Sequence, residues 1–188
     1  EIDRTDEFPR DLWQAAAGAG LFALGIPEEY GGLGRDFVTP LLISERIARV
    51  SAAFALTFNN TTDSAVPIVA RATESIKAKY LPRLARGEII PCIAFTEPQG
   101  GSDMAAMRTR AERAPGGYRI TGRKMWCTNG VVGDVFTVFA KTDPDAGHRG
   151  ITAFVVERGA AGFTIGRTES LIGLHGSPTT ELIFEDNA

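Results

Sequence analysis

The feature that most constrains this chain is a change of hydrophobic period at Gly87. Before that point apolar residues recur at helical spacing; after it they come in short β-branched runs, and glycine doubles from 7 occurrences to 14. A chain whose pattern shifts from a period near 3.6 to a period near 2 builds helices first and a sheet second. The expected class is therefore α+β: an N-terminal α-helical domain over residues 1–90, then an antiparallel β-barrel or sandwich over residues 91–188. A length of 188 residues suits one or two such domains.

In the first part, Leu12, Trp13, Ala16, Ala17, Gly20, Leu21 and Leu24 form an amphipathic stripe. A glycine-rich loop at residues 28–34 ends it. Thr39 before Pro40 reads as a cap and first-turn pair for a long helix carrying Ile43, Ile47, Val50, Phe54 and Phe58. Pro67 predicts a break or kink between Asn60 and Val69. Thr73 caps a last helix with Ile76, Tyr80, Leu81 and Leu84, and Gly87 ends it. Beyond Gly87, strands are predicted at 89–95, 135–140, 151–156, 163–165 and 180–184. Residues 117–120 and 123–128 read as hairpin arms about Thr121-Gly122.

Composition removes several function classes. The 20 basic and 23 acidic side chains are spread evenly, so no half carries the basic footprint of a nucleic-acid or anionic-membrane binder. No apolar stretch of bilayer length occurs. Cys92 and Cys127 are too few for a disulfide scaffold, which makes a reduced, cytoplasmic setting the expectation. His148 and His175 lack partners at ligand spacing, so no metal site is expected. The G-x-G-x-x-A match at residues 18–23 lies inside a helical stripe, without the strand that a dinucleotide fingerprint needs.

Two segments carry chemistry. In residues 95–103 (Phe-Thr-Glu-Pro-Gln-Gly-Gly-Ser-Asp), Pro98 stops a strand and two glycines let successive N–H groups converge, as in an anion-binding nest. An ordinary turn fits those residues equally well. In residues 124–130 (Lys-Met-Trp-Cys-Thr-Asn-Gly), strand alternation puts Trp126 and Thr128 on one face, where an indole and a hydroxyl suit the edge of a flat heteroaromatic ring. Taken alone, Trp126 also fits a core aromatic.

Together with Pro27-Glu28-Glu29-Tyr30-Gly31-Gly32-Leu33-Gly34, Lys79-Tyr80-Leu81-Pro82 and Gly173-Leu174-His175-Gly176-Ser177-Pro178-Thr179-Thr180, these segments resemble the acyl-CoA dehydrogenase family in order and spacing. The resemblance covers nearly the whole chain. It also accounts for Pro82, which the family carries in this helix. The family's fold has an N-terminal helical domain, a middle β-domain and a C-terminal four-helix domain, and only the first two are matched.

The resemblance implies FAD as cofactor and conversion of an acyl-CoA thioester to a trans-2-enoyl-CoA. By matched position, Phe95 and Thr96 would hold the pyrimidine edge, and Gly101 and Ser102 would face the pyrophosphate. Trp126 would lie beside the isoalloxazine, with Thr128 near its N5. Ser102 would also approach the thioester, and His148 the CoA portion. Asn59, Thr62 and Asp63 share one helix face where the family's acyl chain ends, a polar floor ill suited to a plain long alkyl chain; a solvated helix end is the other reading. The family's catalytic base is a glutamate of the C-terminal domain, and none of the 13 glutamates here matches it. The 188 residues are thus expected to be part of a longer homo-oligomer that passes electrons to an electron-transfer flavoprotein. Phe95 and Gln99 depart from the smaller residues that the family often carries. An oxygen-using acyl-CoA oxidase or flavin monooxygenase, and a non-catalytic binding module, are the rival readings.

Overall fold

A computed structural model describes residues 2–185. The outermost ends of the two expected domains, Glu1 and residues 186–188, lie outside the described residues.

Five helices come first: α1 (Ile2–Thr5), α2 (Arg10–Gly18), α3 (Val38–Ala48), α4 (Ala52–Arg71) and α5 (Glu74–Ala85). The stripe from Leu12 to Leu24 is not one helix. α2 stops at Gly18, Gly20 takes φ +73°, and a 3-10 turn follows over Leu21–Ala23. That reversal lays Phe22 back on Trp13, with ring centroids 4.1 Å apart, while the indole N–H of Trp13 donates to the Gly87 carbonyl at 3.0 Å. A Cβ on Gly87 would come 2.6 Å from that of Ala17, so the end of α5 meets α2 at a contact only glycine permits.

The long helix expected from Thr39 to Phe58 is two helices. Asp36, not Thr39, tethers the start of α3: its carboxylate accepts from the Val38 and Thr39 N–H groups at 3.1 and 2.9 Å. α3 ends at Ala48, and Ser51, extended at φ −147°, caps α4 by accepting from Phe54 N–H at 3.2 Å. The break expected near Pro67 does not occur, because α4 runs on through it. Proline removes only one ladder bond there, while Ala65 and Ile68 pack against Leu81 and Leu84 of α5 in one core cluster. Thr73 caps α5, as its sequence suggests.

Seven strands follow: β1 (Pro91–Ala94), β2 (Arg110–Ala114), β3 (Gly117–Thr128), β4 (Val135–Lys141), β5 (Ile151–Glu157), β6 (Phe163–Thr168) and β7 (Thr179–Phe184). They form a mixed, curled half-barrel in the order β1-β4-β2-β3-β7-β6, with β5 on β4. Most pairs are antiparallel, but β1 and β2 each pair with β4 in parallel. Antiparallel pairing is imposed only where a hairpin joins the strands, and β1 reaches β4 through a long crossover.

Thr121-Gly122 is not a hairpin turn. β3 is one continuous strand whose first half pairs with β2 and whose second half pairs with β7. The actual turn is Pro115-Gly116, with Gly116 at φ +83°. Gly122 sits where β3 changes partner, and a Cβ there would lie 2.5 Å from Thr109 Oγ1.

The helical and β parts meet along α4. Asn129 Nδ2 donates to the Thr57 carbonyl at 3.5 Å, and Thr137 Oγ1 to the Ser64 carbonyl at 3.2 Å. Among the described residues no helix is long and apolar enough to cross a membrane.

Candidate functional site

The strongest local chemistry gathers where residues 95–109 cross β3. Beyond the end of β1, Met125 N–H donates to the Thr96 carbonyl at 2.9 Å. Glu97 and Gly100 exchange backbone bonds of 2.9 and 3.0 Å, which closes the loop into a tight turn. Neither Gly100 nor Gly101 takes a positive φ, so the expected nest is a compact turn instead. Gly101 nevertheless packs closely: a Cβ on it would stand 2.9 Å from Thr96 Oγ1. Asp103 caps the 3-10 turn Met104–Ala106.

Beneath this loop lies an ion pair that the sequence reading passed over. The Glu97 carboxylate is 4% exposed and Lys124 fully buried, with Nζ and Oε1 2.9 Å apart. Glu97 also accepts from the Arg108 and Thr109 N–H groups at 2.6 and 2.8 Å and from Gln99 Nε2 at 2.5 Å. Burial pushes the Glu97 carboxyl upward, but the donors from Thr109, Lys124 and Arg108 outweigh it and hold the pKa at about 2. Burial likewise lowers the Lys124 ammonium, against the pull of Glu97. Lys124 also donates to the Phe95 carbonyl at 3.2 Å. One cation therefore binds both ends of the Phe95-Thr96-Glu97 segment to β3. The signal lay in the pattern: Lys124 precedes Trp126 by two within a strand, and a charge in that place needs a buried partner.

Above the clamp, the β3 ladder is irregular between Lys124 and Cys127, and Trp126 takes φ +57°. The simple alternation of Trp126 and Thr128 is thus interrupted by a bulge, which re-aims side chains at such places. Trp126 is 56% exposed, whereas Thr128 is 9% exposed and its hydroxyl has no hydrogen-bond partner among the described residues. Phe95 and Ser102 are exposed, and Thr96 is half-buried. Arg158, also unsuspected from sequence, donates to the carbonyls of Gly133, Gly130 and Val131 at 2.6, 3.1 and 2.7 Å and fixes the turn that leaves β3.

The other expected site residues lie elsewhere. His148 is exposed in the 3-10 segment Pro144–Gly150, which packs beside Met104–Ala106 and so neighbours the Ser102 loop. Asn59, Thr62 and Asp63 do come together, in the wall of a cavity of about 430 Å³ that they share with Phe22, Pro40 and Leu41. Desolvation there raises the Asp63 carboxyl above its ordinary value. No residue from 95–102 or 126–128 lines that cavity. Among the described residues no cluster of three His, Cys, Asp or Glu side chains could hold a metal.

Comparison with known proteins gives consistent matches. Residues 1–88 fit the profile "Acyl-CoA dehydrogenase, N-terminal domain" and residues 92–187 fit "Acyl-CoA dehydrogenase, middle domain". The chain is 41% identical over 189 residues to the mitochondrial isovaleryl-CoA dehydrogenase of Solanum tuberosum, covering 99% of this chain and 46% of that protein. To an acyl-CoA dehydrogenase of Bacillus subtilis it is 43% identical over 188 residues, covering all of this chain and 49% of the other. The crystal structure of acyl-CoA dehydrogenase from Geobacillus kaustophilus superposes with a TM-score of 0.90 at 38% identity, covering 98% of this chain and 49% of that one. The FAD complex of PigA superposes at 0.91 with 30% identity, covering 97% and 49%. The chain thus spans about half the length of the relatives it matches.

Proposed function

The chain belongs to the acyl-CoA dehydrogenase family, and from that premise we propose that the protein carrying it is an FAD-dependent dehydrogenase of acyl-CoA thioesters. The observation that carries this reading is the clamp: Lys124 and Met125 draw the Phe95-Thr96 segment onto the strand that bears Trp126 and Thr128. The residues fit a flavin. Gly101 packs so closely on Thr96 that a Cβ would be crowded, which holds the loop down beside the segment that meets β3, and the exposed indole of Trp126 offers a flat apolar face next to it. Bound FAD would supply the acceptor for the hydride leaving the β-carbon of the thioester.

This chain's residues then have binding and orienting roles. Trp126 offers an apolar face that packs on a flat ring and excludes water. The Thr128 hydroxyl holds the ring's polar edge. Phe95 and Thr96 flank that edge, and the exposed Ser102 hydroxyl faces phosphate or thioester oxygen. Asn59, Thr62 and Asp63 give their cavity a polar wall, which favours a short or polar-tipped acyl group over a long alkyl chain.

Glu97 does not serve as base: its carboxylate is buried, occupied by four donors and held too acidic to take an α-proton. The base belongs, in this proposal, to another part of the polypeptide, as in the family. A reduced cytoplasmic setting, homo-oligomeric assembly and electron transfer to an electron-transfer flavoprotein complete the reading.

The test uses the full-length protein. It should carry FAD and reduce an electron-accepting dye when given acyl-CoA, and Trp126→Ala should weaken FAD retention and change the flavin absorbance envelope. An unaltered affinity and spectrum in that variant would remove Trp126 from the site. Reducing the enzyme with acyl-CoA without oxygen and then admitting air decides the acceptor, since rapid reoxidation with peroxide formation marks an oxidase.

A further inference from the structure

The cavity of about 430 Å³ between α4 and the start of α3 contains a carboxylate that has no partner among the described residues. Its body is apolar, walled by Phe22, Ile26, Leu41 and Val66. Its polar side is one turn of α4, where Asn59, Thr62 and Asp63 share a face through their i, i+3 and i+4 spacing. Among the described residues nothing donates to Asp63 and no cation pairs with it; only lost hydration acts on its carboxyl, which it raises.

Arg35 and Asp36 line the same cavity. The Asp36 carboxylate already accepts from the Val38 and Thr39 N–H groups and from the Thr39 hydroxyl, and the Arg35 charge acts on Asp36 but not on Asp63. With one cation against two carboxylates, the cavity keeps one net negative charge, and it belongs to Asp63. Thr62 spends its hydroxyl hydrogen on the Asn59 carbonyl at 2.9 Å, so toward a ligand it can only accept. The Asn59 side chain has no hydrogen-bond partner among the described residues and offers its amide oxygen as well.

This wall is thus rich in acceptors and negatively charged. It repels a carboxylate, and an alkyl end would strip water from Asp63 without replacing it. A primary ammonium group answers both properties, with one positive charge and three N–H donors on a compact head. The apolar walls suit the methylene stem behind such a head.

We propose that this cavity takes an acyl group ending in a protonated amine, and that Asp63 is the residue that specifies it. The inference rests on the acyl-CoA dehydrogenase reading above and narrows its acyl group to one chemical class.

The test uses the full-length protein and four thioesters of equal chain length: 6-aminohexanoyl-CoA, hexanoyl-CoA, 6-hydroxyhexanoyl-CoA and adipoyl-CoA. Dye-linked turnover gives kcat/KM for each with wild type, Asp63→Asn and Asp63→Leu. Wild type should favour 6-aminohexanoyl-CoA over hexanoyl-CoA by about tenfold to a hundredfold, the range expected of one charge-assisted hydrogen bond. Adipoyl-CoA should be the poorest of the four. Asp63→Asn should lose most of the preference for the amine. Asp63→Leu should reverse it toward hexanoyl-CoA, a change of sign that a merely unfolded variant does not give.

Wild type that uses hexanoyl-CoA or 6-hydroxyhexanoyl-CoA as well as the amine overturns the proposal. So does a preference for the amine that survives in both Asp63 variants, which would place its recognition elsewhere. Wild type that oxidises none of the four thioesters overturns the dehydrogenase reading itself and this inference with it, an outcome seen before any variant is measured.

Discussion

Glu97 accepts four hydrogen bonds inside the protein, and this decides how the site responds to acid. Its pKa falls from an ordinary 4.5 to about 2 on folding. A carboxyl lowered in this way adds stability that is complete above its unfolded value and is lost as the pH drops from about 4.5 through about 2. The linkage is worth on the order of 3 kcal/mol. Glu97→Gln should therefore flatten the acid limb of the unfolding profile. It should also lower stability at neutral pH by roughly 3–5 kcal/mol, because Lys124 would be left buried without a counter-charge; chemical denaturation across pH measures both. The same residues show what could be read in advance at this scale. Residues 95–103 and 124–130 were legible as the chemical segments because proline, paired glycines and an indole are rare and telling in sequence. Their joining by Lys124 and Glu97 was not, since an ion pair between residues 27 positions apart exists only once β3 crosses the loop.

At the scale of elements, apolar period gave reliable types and poor joints. Every predicted helix and strand region contains a helix or strand, yet four joints differ, two of them telling. The break falls at residues 49–51, where Ser51 supplies a cap, and not at Pro67, where packing of α4 on α5 outweighs one missing ladder bond. The arms about Thr121-Gly122 proved to be one strand because Gly122 bends without reversing. That bend is tight: Thr109 Oγ1 and Cα would lie 2.5 and 2.8 Å from an added Cβ. Gly122→Ala should accordingly cost about 1–3 kcal/mol through forced displacement of the β2 entry, measured as a lower denaturation midpoint. A midpoint equal to wild type would mean that the backbone near Thr109 yields freely.

For the whole molecule, the two folded parts are tied by buried polar contacts as well as by the chain. Thr57 and Ser64 of α4 meet Asn129 and Thr137 of the β part, so tilting one part against the other would strip hydrogen bonds from groups that have no water to turn to. α3, by contrast, leaves Val38, Leu41 and Leu42 half or more exposed, an apolar face that the described residues do not cover. Expressed alone, the 188-residue polypeptide should hold FAD more weakly than the full-length protein, show no acyl-CoA dehydrogenation and self-associate; bound flavin, dye-linked turnover and light scattering test the three points. Robust turnover would mean that a base lies within these residues. The shared strand β3 adds a consequence in time. Its first half can zip onto β2 as soon as the Pro115-Gly116 hairpin leaves the ribosome, but its second half, with Trp126 and Thr128, must wait for β7, made about fifty residues later. The end of β3 that bears Trp126 and Thr128 is thus among the last parts of the sheet to close, and for that interval the nascent chain presents an unpaired strand edge to its surroundings.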